Sequence, residues 1–178
     1  MQIPCLKFRY RGGKLDDKLI KMKAIENINV INFRDELLDN SIDILMDAYQ
    51  DLPEYGEQSR KRAKRYIKWL KKHSTLFVIA KVRNDFAGFI VADASWTDME
   101  GKNVGEIHEL SVRKRFWGKG VGDFLLNLAL KHFSQKGLKQ AGLWVGEKNK
   151  RAIKFYEKHR FKKTDTKYYD WLRMVRSL

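Results

Sequence analysis

Cysteine and proline are nearly missing from this chain, with one cysteine, Cys5, and two prolines in 178 residues. A single thiol excludes an internal disulfide framework and any zinc cage built from cysteines, and it fits a reducing compartment. Long hydrophobic runs are missing too. No stretch approaches the ~18 uninterrupted apolar residues of a membrane-crossing helix, and residues 1–9 carry no apolar run behind their charges, so a soluble, cytoplasmic protein that makes no use of a membrane is expected. Internal repeats and low-complexity linkers are absent as well. What is there is enough to fill a core: 43% of residues are hydrophobic and 12% aromatic, which rules out a disordered or fibrous chain. The length suits one domain. Charge is unbalanced, 37 Lys and Arg against 22 Asp and Glu, and the net +15 points to a polyanionic or phosphorylated partner at some face. A charged fraction of 33%, against a usual ~25%, hints at a surface laced with ion pairs, as in some thermophile proteins.

Helices and strands alternate along the chain. Residues 1–27 are basic and irregular, with a short strand near 6–10, and read as an N-terminal extension to a main domain over 28–178. Residues 27–33 alternate as a first strand. From 35 to 59 there is no Lys or Arg, while Asp35, Asp39, Asp43 and Asp47 recur every four residues beside a stripe of Leu38, Ile42, Leu45 and Tyr49. This predicts an acidic amphipathic helix, broken at 52–56 by Pro53 and Gly56. A strongly basic helix over 60–72 follows, with Ala63, Tyr66, Ile67 and Leu70 facing inward. The two charged faces read first as solvated surfaces that pair with each other.

Two apolar runs, 75–82 and 86–94, joined through Arg83, Asn84 and Asp85, predict an antiparallel hairpin, and 104–112 predicts a third strand. A helix ending at Gly137, a strand at 140–145, a helix at 149–159 and two strands near 161–164 and 169–175 complete the pattern. The fold class is therefore α/β with a mixed, largely antiparallel sheet.

Between the third strand and its helix lies a basic, glycine-rich turn from Arg113 to Gly122. The first N–H groups of a helix lack intrahelical partners and sit at the positive end of its dipole, so this turn predicts an anion site suited to phosphate. Gly118, Gly120 and Gly122 permit positive φ and close approach, and Arg113, Lys114, Arg115 and Lys119 add charge. The glycines alternate without a following Lys-Ser/Thr, which excludes a P-loop, and Asp123 stands where a dinucleotide fingerprint needs its third glycine.

Leu110, Ser111 and Val112, followed by Trp117, Gly118, Lys119, Gly120, Val121 and Gly122, are similar to the [QR]-x-x-G-x-[GA] loop of the GNAT-superfamily N-acetyltransferases. Asn149, Ala152, Phe155, Tyr156, Glu157 and Lys158 are similar to the family's N-x-x-A-x-x-[FLY]-Y-E-K element. Residues 28–175 thus resemble this family, which uses acetyl-CoA as cosubstrate, needs no metal, and moves the acetyl group to an amine. Two positions depart from its pattern: Trp117 replaces a Gln or Arg, and Arg160 replaces a glycine before Phe161. If residue 160 is left-handed, arginine there costs ~1 kcal/mol more than glycine.

The resemblance implies a GNAT-like central sheet with helices on both faces and splayed middle strands, helped by a bulge near Leu110. The pantetheine arm then pairs with the backbone of Leu110 and Val112, Asn149 helps to hold it, and an N–H of that stretch faces the thioester oxygen. Tyr156 matches the general acid that protonates the departing thiolate. A base must deprotonate the amine, whose ordinary pKa is ~10.4; Glu106 and His108 are the expected bases, with Glu109 in reserve. By strand parity 106 and 108 share a face opposite 109, unless a bulge intervenes. His73, His132 and His159 receive no role.

The acidic, aromatic connection 49–57, with Asp51, Glu54 and Glu57, is expected to draw in a cationic primary amine: a polyamine, a lysine side chain or a peptide N-terminus. Two other readings stay open. One is a nucleic-acid-binding protein that uses the basic 60–72 helix with Tyr66 and Trp69. The other is a CoA-binding regulator on the same scaffold without turnover. A homodimer is also left open.

Overall fold

A computed structural model describes residues 28–99 and 101–178. The expected extension over 1–27, its short strand and Cys5 lie outside the described residues. The elements are β1 (Ile28–Asn32), α1 (Leu38–Ala48), α2 (Arg60–Lys72), β2 (Leu76–Val82), β3 (Asp85–Thr97) and β4 (Asn103–Val112). They continue with α3 (Val121–Gln135), β5 (Gln140–Gly146), α4 (Lys150–Lys158), β6 (Lys162–Tyr168) and β7 (Trp171–Ser177), and short 3-10 turns precede α1, α2 and α3. The strands form one sheet in the order β1-β2-β3-β4-β5-β7-β6, antiparallel everywhere except between β4 and β5.

Helices cover both faces, as the amphipathic stripes require. On one side Ile42 and Leu45 of α1 and Ala63, Ile67 and Leu70 of α2 pack on Phe77, Ile79, Phe89 and Val91. On the other, Leu125, Ala129 and Phe133 of α3 and Ile153 of α4 pack on Ile90, Ile107, Leu143 and Met174. Gly105 lets α3 sit close to β4, since a Cβ there would fall 2.3 Å from the Phe133 ring. Removing that ring costs ~3–5 kcal/mol. The charged faces of α1 and α2 meet each other, with Arg60 on Asp39 and Asp43 and Lys71 on Asp35.

Two local expectations shift. The β2–β3 connection is a two-residue turn, because Asp85 pairs with Val82, and it places Arg83 at φ 55. The bulge falls on His108 rather than near Leu110: Val91 faces Glu109 while the next residue, Ala92, faces Ile107. The extra residue is the one whose ring stands edge-on to both Trp69 and Trp96. Arg160 is left-handed, at φ 65, as its position after α4 implies.

The bulge decides the site's geometry. Upstream of it Ile107, and downstream Leu110 and Val112, join the α3 side of the core. Glu109 therefore turns to the α1–α2 side, and the expected alternation of Glu106 and His108 against Glu109 is lost. Parallel pairing of β4 with β5 stops at Ile107 and Leu143, whereas β3 follows β4 to Val112. The two middle strands splay from residue 108 onward and leave that edge of β4 open.

Candidate active site

The splayed strands, the glycine turn and the α1–α2 side enclose a cavity of about 1660 Å³. Of the expected residues, Glu106, His108, Leu110, Ser111, Val112, Trp117, Gly118, Gly120, Gly122, Asn149 and Tyr156 line it. Lys119 and Val121 do not. The Lys119 ammonium lies over the Phe116 ring, 5.7 Å from its centroid, and the Val121 side chain is fully buried in the core, so neither side chain reaches the cavity.

The glycine end is built from main chain. Gly118 and Gly120 have φ of 71 and 82, and nothing lies within 4 Å of where a Cβ would stand on either. Gly122 is different from its expected role: it is helical, without positive φ, and sits against Phe155. The first α3 hydrogen bond runs from Phe124 N–H to Gly120 carbonyl, so the N–H groups of Val121, Gly122 and Asp123 have no acceptor a turn earlier. Helices α2 and α4 cap theirs with Ser59 and Asn149, but the N-cap of α3 is Gly120, which has no side chain to offer. Asn149 spends its side-chain oxygen on the N–H of Ala152 at 3.0 Å, leaving its amide donors.

Trp117 does not reach toward the turn's N–H groups. Its indole N–H donates to the Val112 carbonyl at 2.6 Å, which removes that acceptor from the open edge. The Arg151 guanidinium lies over its ring, 3.1 Å from the centroid, and also lines the cavity. Burial lowers its pKa. Arg151 thus brings a cation to the cavity's glycine end, which none of the loop's own Arg113, Lys114, Arg115 and Lys119 lines.

Toward the middle of the cavity stands a buried carboxylate with no cation on it. Glu109 Oε1 accepts from the hydroxyls of Ser111 at 2.8 Å and Tyr49 at 3.1 Å, and Oε2 from Tyr66 at 3.1 Å. The main chain of Leu110 adds a fourth hydrogen bond. Burial nonetheless raises the Glu109 pKa against the pull of these donors. The same burial, with the Glu109 charge, holds Tyr49, Tyr66 and Tyr156 well above the ordinary phenol range. Tyr156 is a neutral donor within the field of Glu109.

Beyond the bulge, Glu106 pairs with Arg173 of β7, Oε1 to Nη1 at 2.6 Å. Burial raises the Glu106 pKa, although Arg173 opposes it. Burial pushes His108 down to about 4, so its ring is neutral near pH 7. The acids of the 49–57 connection are engaged: Asp51 with Lys114, Glu54 with Lys148 and Glu57 with Arg62. They are therefore not a free anionic lure. Tyr66 turns inward to Glu109 rather than standing on the basic face of α2, which takes one aromatic away from the nucleic-acid reading.

Tyr49, Tyr66, Arg151 and Arg173 escaped the sequence as site residues. Tyr49 and Tyr66 looked like inward-facing core positions of amphipathic helices. Arg173 is the one charged residue in the apolar run 171–175, a signal for a buried partner.

Residues 42–161 match the family model described as the acetyltransferase (GNAT) family. An uncharacterized N-acetyltransferase of Methanocaldococcus jannaschii is 34% identical over 162 residues, 90% of this chain and 69% of that protein. A crystal structure of a protein from Pyrococcus horikoshii is similar with a TM-score of 0.76 at 39% identity, covering 85% of this chain and 99% of the other. The PaiA N-acetyltransferase of Thermoplasma acidophilum, solved in complex with coenzyme A, shares the fold with a TM-score of 0.70 at 21% identity, over 86% of this chain and 100% of its own.

Proposed function

We propose, for a chain that belongs to the acetyltransferase (GNAT) family, that the cavity holds acetyl-CoA against the uncapped start of α3 and delivers its acetyl group to a primary amine by direct attack. Family membership makes the chain an N-acetyltransferase; the ternary-complex mechanism, the site residues and the acceptor are the proposal. One observation carries it: an open β4 edge runs straight into a turn with free main-chain donors and no side-chain cap. Coenzyme A fits that arrangement. Its diphosphate suits the unpaired N–H groups of 121–123 and the Arg151 guanidinium, and its arm suits the open β4 edge short of the Val112 carbonyl, which Trp117 already occupies.

Bound there, acetyl-CoA supplies an activated acyl group with a thiolate as its leaving group. The chain's own residues manage the protons. Glu109 takes the first proton from the acceptor ammonium through the hydroxyl of Tyr49 or Tyr66, which yields the neutral amine that attack requires. As the N–C bond forms and the C–S bond breaks, Tyr156 gives its proton to sulfur. The second proton on nitrogen returns to Tyr156, and the balance closes. Glu109 is placed better for this than Glu106, which is committed to Arg173, or His108, whose affinity for a proton is low. Thiol release from acetyl-CoA across a panel of amines tests the reading. Release dependent on an amine is expected; tight coenzyme A binding without release from any amine leaves a silent binding protein instead.

A further inference from the structure

Helix α2 carries more positive charge than its neighbours neutralise. Its flanks are paired, Arg60 with Asp39 and Asp43, Lys71 with Asp35 and Arg62 with Glu57. Between those flanks Lys61, Lys64, Arg65, Lys68 and Lys72 recur turn after turn on the side away from Ala63, Ile67 and Leu70, which pack on the sheet. All five are exposed, and none has an anionic partner among the described residues. The ridge they form is about 16 Å long. Like charges one turn apart repel, and no Asp or Glu lies between Gln58 and Lys72 to relieve them. None of the five lines the cavity.

The chemistry of the ridge selects among polyanions. A lipid surface takes an amphipathic helix by its apolar face, and that face of α2 is buried on Phe77, Ile79 and Phe89. Protein interfaces are poor in lysine and centred on apolar side chains, whereas this ridge is four lysines and an arginine. A phosphodiester backbone needs only a row of point charges. On the border of the ridge Trp69 is still 41% exposed, although it packs against Tyr66, His73 and His108. Cations in a row beside an open aromatic ring suit an unpaired strand, with phosphates on the one and a base on the other. Unpaired strands with splayed bases are characteristic of RNA loops and ends.

We infer that the outward ridge of α2 docks single-stranded RNA, the five cations taking its phosphates and Trp69 a base. The surface is separate from the glycine end, so RNA and coenzyme A bind together. The docking stands whether or not the chain transfers acetyl.

The test is fluorescence anisotropy of a labelled oligoadenylate of about twelve nucleotides with the full chain, at saturating coenzyme A so that the glycine end is occupied. Between about 50 and 200 mM salt, log Kobs against log salt is expected to fall with a slope of about −3.5, roughly −0.7 for each of five phosphates. Lys64→Gln combined with Lys68→Gln should make that slope shallower by about 1.4. The same charge removed from α3 on the other side of the sheet, Lys131→Gln with Lys136→Gln, should leave it unchanged. All four lysines are exposed, so both double variants keep the parent's fold. Trp69→Leu should weaken binding about tenfold without altering the slope. Equal losses from the two lysine pairs, or no binding once coenzyme A is present, overturns the inference. So does a polyglutamate of matched charge that competes as well as the unlabelled strand, or an RNA duplex bound as tightly as the single strand.

Discussion

The two ends of the cavity are assembled from different distances along the chain. At the glycine end, the free donors belong to one short run, 121–123, at the start of α3, and Asn149 and Arg151 open the next helix, α4. At the proposed acceptor end, Glu106 meets Arg173 across 67 positions, and Glu109 meets Tyr49 and Tyr66 across 60 and 43. The first end is main chain exposed by missing side chains; the second is side chains that need the whole sheet to bring them together. Under the proposed function the difference separates grip from chemistry, so that substitutions at one end should leave the other's readout alone.

The sharpest separation is expected at Glu109. Glu109→Gln should lower turnover about 10³-fold while the calorimetric Kd for coenzyme A is unchanged. Because burial raises its pKa, kcat/KM of the unaltered protein should climb with pH through an inflection above the ordinary glutamate range, and the variant should lack that inflection. Tyr156→Phe comes next, with turnover down roughly 10²-fold and again little change in affinity; wild-type kinetics at every pH would remove Tyr156 from the mechanism.

Changes at the glycine end should do the reverse. Gly120→Val forces a β-branched residue into a left-handed backbone, at ~1–2 kcal/mol, and is expected to weaken coenzyme A binding about tenfold. Arg151→Met should weaken it a few-fold at low salt, less at high salt, and leave pantetheine binding untouched. A loss that extended to pantetheine would blur the division between the two ends.

The smallest effect is on stability. Between pH 6.5 and about 4 the unfolded chain binds a proton that folded His108 refuses, so this residue makes stability fall as pH drops through that window. His108→Asn should flatten the fall in Tm. Glu106 and Glu109, with raised pKa values, act in the opposite sense above their unfolded value near 4.5, so the readout is the difference between variant and parent.

Much of this was legible in residue order. The strand and helix periods gave the α/β alternation, and the glycine turn gave a helix start without a side-chain cap, because turn chemistry and helix starts are local. The position of the bulge was not legible. Nothing in the run from Glu106 to Val112 says which residue is extra; that depends on Trp69 and Trp96, which arrive from other elements to flank His108. The same holds for the acceptor end. The acids of 49–57 look available in sequence and are paired in space, whereas the pairing of Glu106 with Arg173 cannot be seen until β4 and β7 lie in one sheet.

A crystal structure of the chain with coenzyme A tests the central claim most directly. The diphosphate should lie on the N–H groups of 121–123 beside Arg151, with the arm along the open edge of β4 and its sulfur near Tyr156. A diphosphate bound elsewhere, or an arm lying outside the gap between β4 and β5, would contradict it.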